Sequence, residues 1–398
     1  MNKILSTVLS LGLCASAALA ADITAKKVSG SLDKVDATSS IWKDAKFSAI
    51  ELYPQTAIEF NDKLAIEANK DNKAKKAQVA AVHNGKEIAL LIKWADATKS
   101  VQGKEHTDSY SDGFAVQFVG STKKPTPLPY IGMGSEGRPV VIHLQKATSE
   151  LYEPNGKGDV ATQVNRQQTA YFGKELADFD KKVADASKKS YDKVFVGEGF
   201  RTITEIKDAT AKSNSSMTHA NSEWSGVLSR ALKDAYTNNV GTVPVSIAVW
   251  DGDKMGRNGL KHLSNWVAIN LEGQKPNAAF LAEINEPLKG DAAKGKAIAD
   301  EQGCMGCHQL DTSMPAGTMG PSLLNVGGYS TAAYLRESLL NPTAVIVPGY
   351  NRNAHVNTPW YNIEDGKRVS TMIDYTYLDE ESIEHVVAYL KTLKAEVE

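Results

Sequence analysis

Cysteine is nearly missing from this chain: three occur among 398 residues, at positions 14, 304 and 307. The first lies in an N-terminal stretch with Lys3, an apolar run over 4–19 and the small-x-small pattern Ala18-Leu19-Ala20, the layout of an export signal. Leu13 is too large to precede a lipidated cysteine, and no twin arginine is present. Residues 1–20 are therefore expected to be removed and the mature chain to begin at Ala21, in the periplasm. Only Cys304 and Cys307 would remain, too few for an iron-sulfur cluster or a four-cysteine zinc site. After the leader no apolar run approaches the 18 or so residues needed to span a bilayer. Charge of one sign is missing too. A net charge of -2 with 23% charged residues excludes a nucleic-acid-binding surface of the usual kind and wholesale disorder.

What is present is Cys304-Met305-Gly306-Cys307-His308, two cysteines two residues apart with histidine following at once. This is the attachment pattern of a c-type haem: both sulfurs bond the porphyrin and the imidazole takes an axial position on the iron. Zinc would need a second pair of ligands, and a redox dithiol would not need the histidine. With this single pair the chain can hold one covalent haem. Helix formers over 289–301 lead into the motif. Asp379-Glu380-Glu381 opens a last helix with an apolar stripe at Ile383, Val387, Leu390 and Leu393 and Lys391 and Lys394 at its end.

That C-terminal part, 288–398, resembles a small all-α class I cytochrome c domain. The resemblance puts the second axial ligand well downstream of the motif, and Met372 occupies that place, although Ile373 stands where the family has proline. Met314, Met319 and His355 are the rivals. Met319 falls in Gly317-Thr318-Met319-Gly320-Pro321, which is similar to the turn that packs on the proximal histidine in that family.

Residues 21–273 read differently. Short apolar stretches over 87–94, 113–119, 139–144, 223–232, 245–250 and 266–271, separated by Gly, Asn and Asp, predict an antiparallel β-sandwich. In the first, Ile88, Leu90, Ile92 and Trp94 fall on one face. A polar, Lys-rich insertion over 165–221 is expected to be part helix, around Phe172, Leu176, Phe179 and Val183, and part long loop through Ser213 to Ser216. Residues 274–287 are expected to link the two domains. From Glu286 onward there are 9 basic against 15 acidic side chains, net -6, which leaves +3 for 21–285. An acidic cytochrome domain would steer a basic partner.

Several segments of the sandwich resemble one family. They are Ile41-Trp42-Lys43-Asp44-Ala45, the run Tyr130-Ile131-Gly132-Met133-Gly134 leading to Gly137-Arg138-Pro139-Val140-Val141-Ile142, and Glu223 to Leu232. Val249-Trp250-Asp251-Gly252 and Gly259-Leu260-Lys261-His262-Leu263-Ser264-Asn265-Trp266 complete the set. The family is the haem b gamma subunit of ethylbenzene dehydrogenase, dimethylsulfide dehydrogenase and related molybdenum enzymes. Ala231 stands where the family commonly has proline. The resemblance implies a non-covalent haem b between Met133 and Lys261, with His262 and Met255 as rival ligands. Lysine can ligate iron only when neutral, so burial must pull it below its ordinary pKa of about 10.4.

The resemblance further implies an electron-transfer subunit without catalytic residues, working with an iron-sulfur beta subunit and a molybdenum-containing alpha subunit. It would pass electrons onward to an external carrier. Nitrite oxidoreductase gamma subunits resemble this b-plus-c fusion most. The rival expectation is a monohaem cytochrome c tethered to a carbohydrate-binding sandwich. No cluster of aromatic residues in the sequence supports that rival.

Overall fold

The computed structural model describes residues 22–55, 67, 71–101, 110–122, 126–149, 181, 190–211, 213–314, 319–352, 354 and 357–398. The leader, most of 151–189 and His355 lie outside them, and with them the expected helix around Phe172.

The described strands of the first domain are, in chain order, β1 (Ile23–Lys27), β2 (Ser48–Pro54), β3 (Lys75–His83), β4 (Glu87–Ala95), β5 (Gly113–Val119), β6 (Val140–Ser149) and β7 (Ser190–Gly197). Then follow β8 (Thr204–Glu205), β9 (Ser213–Ala220), β10 (Glu223–Ala231), β11 (Thr242–Trp250), β12 (His262–Leu263) and β13 (Val267–Leu271). One layer runs β8-β7-β6-β5-β11, continued by β12 and β13; the other runs β3-β4-β10-β9. Two strands change layer. β1 pairs with β13 through Ile23 to Ala25 and with β3 through Lys26 and Lys27, and β2 pairs with β3 and then, at Tyr53 and Pro54, with β12. Apart from β1 the pairings are antiparallel.

Period-2 alternation fills the space between the layers. Ile88, Leu90, Ile92 and Trp94 of β4 meet Phe114, Val116 and Phe118 of β5 and Val243, Val245, Ile247 and Val249 of β11, all buried. Trp94 stacks on Trp224 of β10 at 6.3 Å between ring centres. Each such side chain, fully buried, contributes about 1.5–3 kcal/mol of transfer free energy. β5 is buried on both faces, which in an antiparallel sheet means the outer face is covered as well.

The cover is the C-terminal domain. It comprises α1 (Ala278–Ile284), α2 (Ala292–Glu301), α3 (Val326–Tyr329), α4 (Ala332–Leu340), the hairpin β14 (Tyr361–Glu364)–β15 (Lys367–Ser370) and α5 (Glu380–Thr392). Four of the helices begin on side-chain caps: Asn277, Asp291, Thr331 and Asp379 each accept a first-turn backbone N–H. α2 and α5 cross so closely that a Cβ on Gly295 would sit 1.8 Å from the carbonyl oxygen of His385. Val326, Tyr329, Leu335, Leu339 and Val387 then share one hydrophobic cluster with Tyr53, Ala115, Ala248, Trp250 and Leu263 of the sheet. Arg138 fixes the seam with a two-pronged ion pair to Glu337, at 2.6 and 2.7 Å. The C-terminal tail exchanges backbone hydrogen bonds with Ala74 through Glu396 and Glu398.

The fold is thus mostly antiparallel β-sheet in the N-terminal part with a small helical domain after it. Three stretches add to the sequence reading. Ser213 to Ser216, read as loop, belong to edge strand β9; four short polar side chains in succession, with neither face buried, leave no apolar alternation to mark the strand. The stretch over 274–287 holds α1, and Ile284 anchors it in the shared core. The C-terminal domain, small and helical as expected, also carries a hairpin of β14 and β15 across Asp365-Gly366, both at positive φ.

Candidate functional site

The haem c motif occupies a single tight turn. Gly303 adopts φ 69° at the end of α2, and Cys304 to Gly306 form one 3-10 turn. His308 N–H donates to the Cys304 carbonyl at 3.0 Å, so both thiols and the imidazole come from one loop. Cys304 is half-buried, with Sγ 3.9 Å from the Tyr375 hydroxyl, and burial pushes its thiol pKa up; Cys307 is exposed.

His308 Nδ1 lies 2.8 Å from the carbonyl oxygen of Pro321. A carbonyl can only accept, so Nδ1 carries the proton and Nε2 keeps a lone pair, the form an iron ligand needs. Burial pulls the His308 pKa down and favours that neutral ring. Gly320 makes the approach possible: a Cβ there would lie 2.7 Å from His308 Cε1. Tautomer, burial and close loop packing fit a proximal haem ligand.

Met372 follows the β14–β15 hairpin, half-buried, its N–H bonded to Ser370 Oγ at 3.1 Å. It packs on the hydrophobic cluster that Cys304 also touches. Met314 packs on a second cluster against Cys304, with Ala299, Leu310 and Tyr389, and Met319 is half exposed.

The haem b candidates lie under the cytochrome domain, on the outer face of the sheet. Met133 has φ 75°, a left-handed backbone that costs a β-carbon-bearing residue on the order of 1 kcal/mol. Its N–H bonds the Ile131 carbonyl and its carbonyl accepts from Gly199 N–H. The loop is pinned to the sheet by Gln117 Nε2 donating to Ile131 O at 3.0 Å and Trp266 Nε1 to Pro129 O at 2.9 Å. Met133 is half-buried and packs on the same shared cluster.

Lys261 enters β12 opposite the end of β11. It is buried, and its described partners are all neutral: Gln55 Oε1, the Asn258 carbonyl and the Trp250 ring 5.7 Å away. Loss of solvent pulls its pKa down to about 8. A buried ammonium without a carboxylate is costly, whereas a neutral amine is a competent iron ligand, so the donor chemistry fits the expected pair. His262 is engaged elsewhere: its Nε2 donates to the Lys73 carbonyl at 3.0 Å. Met255 sits in the preceding turn at φ 60°. Met133 and Lys261 are held from opposite ends of the strands, the first beside the Val140–Gly197 pair and the second beside Trp250, and both border the shared cluster. No contact among the described residues joins them directly.

Sequence reading passed over an aromatic layer beside the Met133 turn. Tyr130, next to the Met133 turn, stacks on Tyr334 of α4 at 5.2 Å and hydrogen-bonds the Tyr350 hydroxyl at 2.7 Å. Only Tyr130 carried a signal, as part of the quoted Gly-Met-Gly segment. Gln55 and Asn258, which hold Lys261, carried none.

Comparison with known proteins agrees with this division. A carbohydrate-binding candidate from Bacteroides uniformis is similar in structure with TM-score 0.34 and 11% identity over 64% of this chain and all of that one. A family 9 carbohydrate-binding module from Caldicellulosiruptor kristjanssonii gives 0.30 and 8% over 65% and 98%. Likenesses so weak carry no functional argument. Cytochrome c oxidase subunit 2 of Alkalihalophilus pseudofirmus is 29% identical over 136 residues, 33% of this chain and 35% of that protein. The chain thus spans about a third of the length of that relative. A cytochrome c family model matches 292–394, around the haem loop. Its match supports a covalent haem c. Because the ethylbenzene dehydrogenase family model matches residues 39–262, more than half of the sequence and the whole stretch from Trp42 to Lys261, the chain belongs to the ethylbenzene dehydrogenase family.

Proposed function

We propose that this chain is a periplasmic two-haem electron-transfer subunit. In this reading Met133 and Lys261 hold a non-covalent haem b, Cys304 and Cys307 bond a haem c, and His308 and Met372 are its axial ligands. Iron with both axial positions filled cycles one electron and leaves no place for a substrate. The chain's own residues hold the neutral imidazole and amine in place, keep water out with the aromatic layer, and fix the distance between the sites.

One observation carries the reading. A single hydrophobic cluster contains Trp250, beneath the Lys261 amine, and touches Met133, Cys304 and Met372. Two haems at these positions would share one dry, closely packed layer, which favours transfer over side reactions. The family suggests the partners: an iron-sulfur beta subunit, a molybdenum-containing alpha subunit and an external carrier. Among such assemblies the b-plus-c fusion resembles the gamma subunit of nitrite oxidoreductase. No described helix is long and apolar enough to cross a membrane.

Acidified acetone extraction followed by a pyridine haemochrome assay of both fractions tests the proposal. Roughly equal extractable haem b and covalent haem c are expected from the purified chain. Covalent haem alone would overturn the two-haem reading. Co-purification with iron-sulfur and molybdenum subunits tests the partners.

A further inference from the structure

At one end of the sandwich, where β4 and β11 end and β5 begins, three carboxylates converge. Asp96 follows β4, Asp112 precedes β5 and Asp251 follows β11, and one oxygen from each lies within 4.8 Å of the others. Asp112 is fully buried and Asp96 is 6% exposed. Lys75 is bonded to this cluster, 3.2 Å from Asp251 Oδ2. Among the described residues, the Lys75 ammonium against three carboxylates leaves a local charge of about -2 in a desolvated place, an arrangement that repels itself.

The oxygens are not equally used. Asp112 accepts from Gly252 N–H, Ser100 N–H and Trp224 Nε1. Asp96 Oδ1 accepts from Thr98. Asp96 Oδ2, however, is buried and has no hydrogen-bond partner among the described residues. An ionised oxygen in that condition is among the costliest buried groups unless something positive meets it. The charges of Asp251 and Asp96 face each other and Asp112, pushing the Asp96 and Asp112 carboxyl pKa values further up beyond the larger effect of burial.

We propose that Asp96, Asp112 and Asp251 bind a calcium ion that ties together the ends of β4, β5 and β11. Calcium takes oxygen ligands at about 2.3–2.6 Å, so opposite ligands can stand about 4.6–5.2 Å apart, and a spread within 4.8 Å fits inside that sphere. Magnesium, at about 2.0–2.1 Å, spans only about 4.2 Å and would need the carboxylates drawn closer. A divalent charge cancels the excess that Lys75 leaves and supplies Asp96 Oδ2 with its partner. Asp112 also orients the Trp224 indole through Oδ2, so the ion would lie close to a tryptophan.

The test uses the full-length haem-loaded chain at pH 8. Calcium at about 10 mM is expected to raise the melting temperature by roughly 5 °C over EDTA, with magnesium giving much less. Terbium, a calcium-sized luminescent probe, should bind once per chain and be sensitised by tryptophan excitation. In Asp96→Asn both responses should vanish while the haem spectrum stays. Because the variant loses one repelling charge, it should melt above the wild type in EDTA and below it in calcium. That crossover is the signature that a merely structural carboxylate would not give. No calcium response in the wild type, an equal response to magnesium, or terbium luminescence surviving in Asp96→Asn would each overturn the site.

Discussion

A lysine amine inside an apolar layer must find a counter-charge or release its proton. Lys261 finds only Gln55, the Asn258 carbonyl and an indole face. Its folded-state pKa of about 8 lies below the ordinary 10.5, and the sign of the consequence is fixed. Below pH 8 both folded and unfolded chains hold the proton and the burial penalty is constant. Between pH 8 and 10.5 only the unfolded chain still holds it, so stability rises with pH, by about 3 kcal/mol in all. Urea unfolding of the haem-b-free chain should show this rise, and Lys261→Met should lack Lys261's share of it. A pH profile identical in the two would mean that Lys261 is solvated. Met372 allows a spectroscopic check. Met372→Ala should abolish the weak long-wavelength absorption of a thioether-bound ferric haem while leaving haem c attached through Cys304 and Cys307. If the band persists, Met314 or another donor holds that position.

The short helix α3 shows what docking the two domains demands. A Cβ on Gly327 would lie 2.4 Å from the Leu390 carbonyl of α5, and one on Gly328 would lie 2.3 Å from the Tyr53 ring of β2. Consecutive glycines let a single turn sit between a helix and a sheet with no side chain on either side. Gly328→Ala should therefore overpack the seam and cost about 2 kcal/mol in chemical denaturation, with faster amide exchange in α3 and at the Ala74 bridge to the tail. Wild-type stability in this variant would show that the seam can open. Neither glycine stood out in the sequence, because a small residue signals close approach without saying to what. The apolar runs of β4, β5, β10 and β11 were legible, and so were α2, from its helix formers, and α5, from its acidic start and apolar stripe. β3 was not: in Ala77-Gln78-Val79-Ala80-Ala81-Val82 the small alanines and the polar Gln78 leave no run of large apolar side chains to mark a strand. The haem c loop could be read because covalent attachment fixes residue spacing in the chain. The setting of Lys261 could not, since Gln55 lies 206 residues away and meets it only through β2 pairing with β12.

Charge divides along the same seam as the fold. The cytochrome part carries net -6 against +3 for the sandwich, and Asp300, Glu301 and Asp374, all exposed, lie in the chain on either side of the haem loop and Met372. Met305, Ile373 and Tyr377 are exposed there as well, at 46%, 60% and 63%. An apolar patch with acidic neighbours suits brief docking of a basic carrier: the charges raise the encounter rate and the patch excludes water at contact. Such steering acts over a Debye length of about 30 Å at 0.01 M salt and about 8 Å at 0.15 M. Stopped-flow electron exchange with a small basic cytochrome should therefore slow by tenfold or more across that range, on the order expected for steered association. Neutralising Asp374 and Glu301 together, as Asn and Gln, should flatten the salt dependence and leave the rate at high salt nearly unchanged, because screening has already removed what the substitutions remove. A rate that rises with salt would mean that the basic cytochrome meets like charge, docking on the sandwich, whose surplus is positive, and not on the acidic face.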